Sequence, residues 1–156
     1  MRFVLDSTAI RSGVVISGED DYYTTPSVLD ELRRGKVARE IEFLEAASLK
    51  VVGPKLGAID RVKEAAGNTG DALRLSNTDV EVIALALELK ATILTDDYSI
   101  QNLAQVLKIK YQTGVEKGIR EVFEWRVKCT GCARTYPDKV ASCPVCGSEL
   151  KLVRKK

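Results

Sequence analysis

The chain has 156 residues, 45% of them hydrophobic, and a formal net charge of +2, enough for one domain of ordinary size with a small appendage. It contains no histidine, which excludes Ser-His and Cys-His nucleophilic machinery, histidine general bases and histidine metal ligands together. No apolar run approaches the ~20 residues that span a bilayer, and Met1-Arg2-Phe3-Val4 leads straight into patterned sequence instead of a secretion signal, so a cytoplasmic protein without membrane contact is expected.

Charge is unevenly divided. Up to Trp125 there are 16 Lys/Arg against 20 Asp/Glu, and from Arg126 onward 8 against 2. A mildly acidic body thus carries a basic tail, which reads as a polyanion-binding appendage or as a solvated end.

Arg2 to Leu5 is a compact apolar run closed by Asp6-Ser7-Thr8. It reads as a first strand with Asp6 at its carboxyl end, or with Asp6 capping the turn that follows. After a loop through Ser17 to Asp21, Tyr22 to Thr25 reads as a short strand, and Thr25-Pro26 opens a helix with Thr25 as N-cap. Val28, Leu29 and Leu32 define the apolar side of that helix; Glu31 lies at its margin, whereas Asp30 points nearly opposite. Glu31 is therefore the acid turned toward the protein, as a site residue or as a partner for an arginine such as Arg34. Arg33, Arg34, Lys36 and Arg39 read as a solvated basic face.

Lys36 to Ala47 is expected as a second amphipathic helix, Leu49 to Val52 as a strand, and Lys55 to Ala66 as a third helix ended by Gly67-Asn68. Ser76-Asn77-Thr78-Asp79 then starts the most hydrophobic helix, with Asp79 at the third position of a capping box begun by Ser76. Ala91 to Leu94 reads as a short buried strand ending on Thr95-Asp96-Asp97. A helix from Tyr98 to Leu107 and a last strand at Ile109 to Gln112 follow. Strand and helix alternate throughout, which predicts an α/β fold with a mainly parallel sheet flanked by helices.

Each acid has a local explanation as a cap. Yet Asp6, Glu31, Asp79 and Asp97 (or its neighbour Asp96) share a position: strand carboxyl ends or first helical turns, which right-handed crossovers bring to one edge of the sheet. Two ionised carboxylates 4 Å apart repel by about 4 kcal/mol at an effective dielectric near 20, so several together need a cation or shared protons. Oxygen ligands without histidine or cysteine favour Mg²⁺ or Mn²⁺, and such a site suits phosphodiester hydrolysis.

The ordered set Val4-Leu5-Asp6-Ser7-Thr8, Thr25-Pro26-Ser27-Val28-Leu29-Asp30-Glu31, Leu75-Ser76 with Asp79, and Ile93-Leu94-Thr95-Asp96-Asp97 resembles the PIN-domain nucleases over roughly the first 115 residues. More narrowly, Thr95-Asp96-Asp97-Tyr98-Ser99-Ile100-Gln101-Asn102, followed by a linker and four cysteines, resembles the Nob family of endoribonucleases in its short, archaeal form. The resemblance implies a PIN-like domain over 1–114, a linker over 115–125 and a zinc ribbon over 126–156. It implies four acids, Asp6, Glu31, Asp79 and Asp97, around one or two Mn²⁺ or Mg²⁺ ions, with Asp96 as an alternate ligand and a hydroxyl from Ser7 or Thr95. It also implies a substrate, the 3′ end of precursor 16S rRNA, and partners in the small ribosomal subunit precursor and its assembly factors.

Cys129-x2-Cys132 and Cys143-x2-Cys146, ten residues apart, are spaced for one structural Zn²⁺ rather than for disulfides. Four thiolates leave no open coordination position, and a module of this size could scarcely fold without the metal. Arg126, Lys128, Arg134, Lys139, Lys151, Arg154, Lys155 and Lys156 are candidate RNA phosphate contacts, with Tyr136 available to stack on a base. Two other readings compete: a toxin-type PIN ribonuclease acting on tRNA or mRNA, and a non-catalytic RNA-binding assembly factor whose acids only cap helices.

Overall fold

In the computed structural model, residues 1–16, 18–35, 37–114, 124–138 and 140–155 are described. Most of the expected linker, 115–123, and the candidate contacts Lys139 and Lys156 therefore lie outside the described residues, as does Lys36.

Five strands, β1 (Arg2–Leu5), β2 (Asp21–Thr24), β3 (Lys50–Val51), β4 (Thr92–Leu94) and β5 (Tyr111–Gln112), form one sheet in the order β3-β2-β1-β4-β5. Every pairing in it is parallel. Phe3, Val4 and Leu5 of β1 are all buried, the unbroken apolar run of a strand covered on both faces. From β1 the chain steps outward through β2 and β3, then returns to lay β4 on the other side of β1. The order reverses between β1 and β4, and the crevice outside the carboxyl ends of strands at such a switch point is where open α/β sheets bind ligands.

The helices are α1 (Ser7–Arg11), α2 (Pro26–Arg33), α3 (Ala38–Ala46), α4 (Leu56–Thr69), α5 (Asn77–Leu89) and α6 (Tyr98–Val106). They pack chiefly as two groups, α1 with α2 and α3, and α4 with α5 and α6, while α2 also touches α5. Val80, Val82, Ile83, Ala84, Leu85 and Ala86 of α5 are all buried, as its apolar residues on most sides predict.

Two local expectations are corrected. The third helix does not stop at Gly67-Asn68 but runs to Thr69, because Val62, Ala66 and Thr69 keep one face of it buried. It ends at Gly70, whose φ of 80° is the left-handed conformation glycine adopts without strain. A 3-10 turn, Asp71–Leu73, then leads toward α5. And Asp6 caps more than a turn: α1 is a short helix beginning at the next residue.

The cysteine module is a separate three-stranded antiparallel sheet of β6 (Trp125–Cys129), β7 (Thr135–Tyr136) and β8 (Leu150–Arg154), ordered β7-β6-β8. Its first strand starts at Trp125, one residue before the expected ribbon.

Candidate active site and metal centre

Asp6 ends β1 at the switch point and is only 3% exposed. Its Oδ1 accepts from the Thr8 hydroxyl at 2.7 Å and the Ala9 amide at 2.9 Å, and its Oδ2 from the Thr95 hydroxyl at 2.5 Å. Burial nonetheless outweighs these bonds and raises its pKa above the usual carboxylate value. The Thr95 hydroxyl also accepts from the Asp97 amide at 3.0 Å, so one side chain ties the end of β1 to the end of β4.

Asp79 sits at the start of α5. The capping box forms as expected: Asp79 N–H donates to Ser76 Oγ at 3.1 Å, and Ser76 N–H donates to Asp79 Oδ2 at 2.8 Å. The carboxyl pKa is raised by burial first and then by the negative charges of Asp97 and Glu31. That repulsion places three of the expected acids in one electrostatic neighbourhood, although they come from three helices. Glu31 is brought there by α2, which is tied to α5 where Ser27 Oγ donates to Glu81 Oε2 at 2.5 Å.

The neighbours Asp96 and Asp97 are turned to different duties. Asp97 caps α6, its Oδ1 accepting from Ser99 N–H at 2.7 Å, and its charge helps to raise the Asp79 pKa. Asp96 Oδ1 accepts from Gly114 N–H at 2.9 Å and lines a cavity of about 260 Å³ with Ser12, Gly13, Thr95 and Gln112, on the β5 side. Asp6, Asp79 and Asp97 each accept a backbone N–H or lie in a capping box at a helix start.

Three contributors had no chemical signal in the sequence. Thr8 bridges Asp6 to the Asp96 amide, which donates to its hydroxyl at 2.9 Å. Gln101, fully buried, donates to Thr95 O at 3.3 Å and holds the turn that carries the acids. Asn102, also buried, donates to Asp71 Oδ2 at 2.8 Å. Polar residues on the inner face of an otherwise apolar helix are the signal that would have found the last two.

The thiols converge far more tightly than the carboxylates. The four sulfurs lie within 4.8 Å of one another, with Cys129 and Cys146 at 3.4 Å and Cys132 and Cys143 at 3.6 Å. Tetrahedral Zn–S bonds of about 2.3 Å put sulfurs about 3.8 Å apart, so the cluster fits that ion and is far too open for disulfides. Among the described residues it is the one group of three or more possible ligands gathered so closely. The Tyr136 hydroxyl, 3.0 Å from Cys143 Sγ, brings that thiol down to about 5 and is itself pushed up to about 12. The ring expected to stack on a base is therefore also a support of the sulfur cage.

On the ribbon, Lys128 and Lys151 stand directly opposite in the β6–β8 ladder, with Arg126 two residues along the same face. Arg154 pairs with Trp125 on the other face. Arg126, Arg134, Lys151, Arg154 and Lys155 are exposed and Lys128 is half-buried.

The sequence profile of the PIN domain of ribonuclease matches residues 3–89, and the parallel sheet flanked by helices agrees with it. The chain is 39% identical to endoribonuclease Nob1 of Pyrococcus abyssi over all of this chain and 96% of that one. It is likewise 39% identical to ribonuclease VapC1 of Thermoplasma acidophilum, over 97% of this chain and 77% of the relative. Half of it, 51%, aligns at 31% identity with 18% of the 20S-pre-rRNA D-site endonuclease of Saccharomyces cerevisiae. The chain belongs to the Nob1 family of PIN-domain endoribonucleases, with a cysteine cluster fit for a zinc ribbon at its carboxyl end.

Proposed function

We propose that the protein cleaves precursor 16S rRNA at the 3′ end of the mature sequence during assembly of the small ribosomal subunit in the cytoplasm. In this reading residues 1–114 are the nuclease domain, 115–125 the connection and 126–156 the ribbon. Asp6, Glu31, Asp79 and Asp97 hold Mn²⁺ or Mg²⁺; the donor set is all oxygen, and burial raises the pKa of Asp6 and Asp79, the chemistry that suits a hard dication. The observation that carries the assignment is that one hydroxyl, Thr95 Oγ1, donates to Asp6 Oδ2 at 2.5 Å and accepts from the Asp97 amide at 3.0 Å, so two of these acids meet at the switch point. Asp96, anchored to Gly114, is a neighbour of the site and not a ligand.

When bound, the ion supplies Lewis-acid activation of water and neutralises charge at the phosphate. This chain supplies the positioning. Thr8, Ala9 and Thr95 lock Asp6, the Ser76 box locks Asp79, and Ser99 locks Asp97, so the carboxylates are oriented before substrate arrives. Zn²⁺ holds the ribbon, whose Arg126, Lys128 and Lys151 face binds RNA phosphates. Like charges directly opposite across a ladder repel, so Lys128 and Lys151 gain from an intervening anion.

The test is incubation of the protein with an RNA spanning the 3′ end of 16S rRNA and its downstream spacer, with Mn²⁺, Mg²⁺ or EDTA. The expected result is one metal-dependent cut at the mature end. Scattered cuts, or preferential cutting of tRNA, would favour the toxin-type reading. Binding without cleavage under either metal would favour an assembly factor.

A further inference from the structure

Asp71 is the most completely buried acid among the described residues, at 0% exposure, and it lies outside the acid cluster. Its Oδ2 accepts from the Thr69 hydroxyl at 2.5 Å and from Asn102 of α6 at 2.8 Å, and the Trp125 side chain is near enough to favour the ionised carboxylate. Its Oδ1 is the single buried side-chain polar atom among the described residues without a hydrogen-bond partner. Trp125 is the first residue of the ribbon's central strand, so this buried acid lies where the nuclease domain meets the ribbon.

Two further contacts close on the same indole. The Arg74 guanidinium lies 4.0 Å from the Trp125 ring centre, a cation–π contact from the chain just before the Asp79 capping box. Gly70 presses against the Trp125 backbone so closely that a Cβ would collide with its carbonyl oxygen. Carboxylate, guanidinium and glycine thus fix the tryptophan from within five consecutive positions, 70 to 74. Trp125 shares its sheet face with Val127 and Leu152, while Arg126, Lys128 and Lys151 occupy the opposite face. Fixing the indole therefore also fixes which way the basic face points.

We infer that Gly70, Asp71, Arg74 and Trp125 form a latch that docks the zinc ribbon on the nuclease domain at a set orientation. Asp71 and Trp125 are then positioning residues that hold the ribbon's RNA-binding face at a constant offset from the acid cluster. This use of the latch rests on the endoribonuclease reading above; the docking itself does not. A fixed offset lets RNA held by the ribbon be cut at one distance along its length, and it makes binding by the two regions mutually reinforcing.

The test uses the zinc-loaded full chain and two readouts. In ¹⁵N relaxation, the ribbon and nuclease amides of the wild type should share one rotational correlation time. Trp125→Ala should let ribbon amides tumble faster with zinc content unchanged, while Trp125→Phe, which keeps the ring for Arg74, should fall between. Independent tumbling in the wild type, or no change in Trp125→Ala, overturns the latch. In cleavage, Trp125→Ala and Asp71→Asn should leave kcat on a short single-stranded RNA unchanged. On the long rRNA-end substrate they should raise KM about tenfold and spread the cut over neighbouring positions. A single unshifted cut at unchanged KM overturns the positioning role. Failure of the wild type to cut the long substrate at the mature end would count against the substrate assignment, and the relaxation data would still judge the docking.

Discussion

The two ligand clusters of this protein are built on opposite plans. The four thiols come from 18 consecutive positions, Cys129 to Cys146, and from two Cys-x2-Cys turns. The four carboxylates come from residues as far apart as Asp6 and Asp97, and a whole parallel sheet is needed to bring them to one edge. The thiol cluster depends on its ion for structure. The acids depend instead on long-range packing of strands and helices to come near one another.

The contrast predicts opposite responses to losing a ligand, the largest in the ribbon. Stripping zinc, or substituting Cys143→Ser, should unfold β6–β8, since structural zinc supplies on the order of 10 kcal/mol or more to such modules. Circular dichroism and amide spectra of the nuclease domain should change little outside residues 70–74, which pack against Trp125. Collapse of both regions together would break the comparison.

In the acid cluster, losing a ligand should abolish activity while stabilising the fold. Asp6→Asn is expected to lower cleavage by more than about 100-fold. With EDTA present it should raise Tm near neutral pH. The Asp6 pKa is raised by burial, so the wild type has its full stability below the ordinary carboxylate range and loses it as pH rises through the raised folded value. The advantage of Asn over Asp should therefore grow across that window and vanish at its acid end. Thermal melts of the two proteins from pH 3 to 7 check the sign; an advantage that shrinks as pH rises would contradict it.

Smaller effects should separate the two regions' contacts with RNA. Lys128→Ala and Lys151→Ala should each weaken RNA binding and reduce the slope of log affinity against log salt by about 1, with kcat unchanged. Gln101→Ala should do the reverse, leaving affinity near the wild-type value but lowering kcat, since its bond to Thr95 O holds the turn that carries Asp97. Salt titrations and single-turnover rates distinguish them.

How legible each cluster was in the sequence follows from the same contrast. The cysteine spacing is local and is visible by inspection. The alternation of strands and helices gave the parallel sheet, and the acids at strand ends and first helical turns mark the edge proposed as the site. What the sequence did not show was relational. That Asp96 accepts from Gly114 N–H depends on the chain arriving from β5. The burial of Asp71 depends on Asn102 and Trp125, which are 31 and 54 positions away. The run past Gly67-Asn68 likewise needed tertiary burial of Thr69 to be seen.

The central claim is that the cluster around Asp79 is the reactive site and that Asp97, not Asp96, completes it. The most direct test compares Asp97→Asn with Asp96→Asn in Mn²⁺-dependent cleavage of the rRNA 3′-end substrate. Asp97→Asn should reduce cleavage by more than about 100-fold while Asp96→Asn stays within about tenfold of wild type. The opposite ranking, or undiminished cleavage in Asp97→Asn, would contradict it.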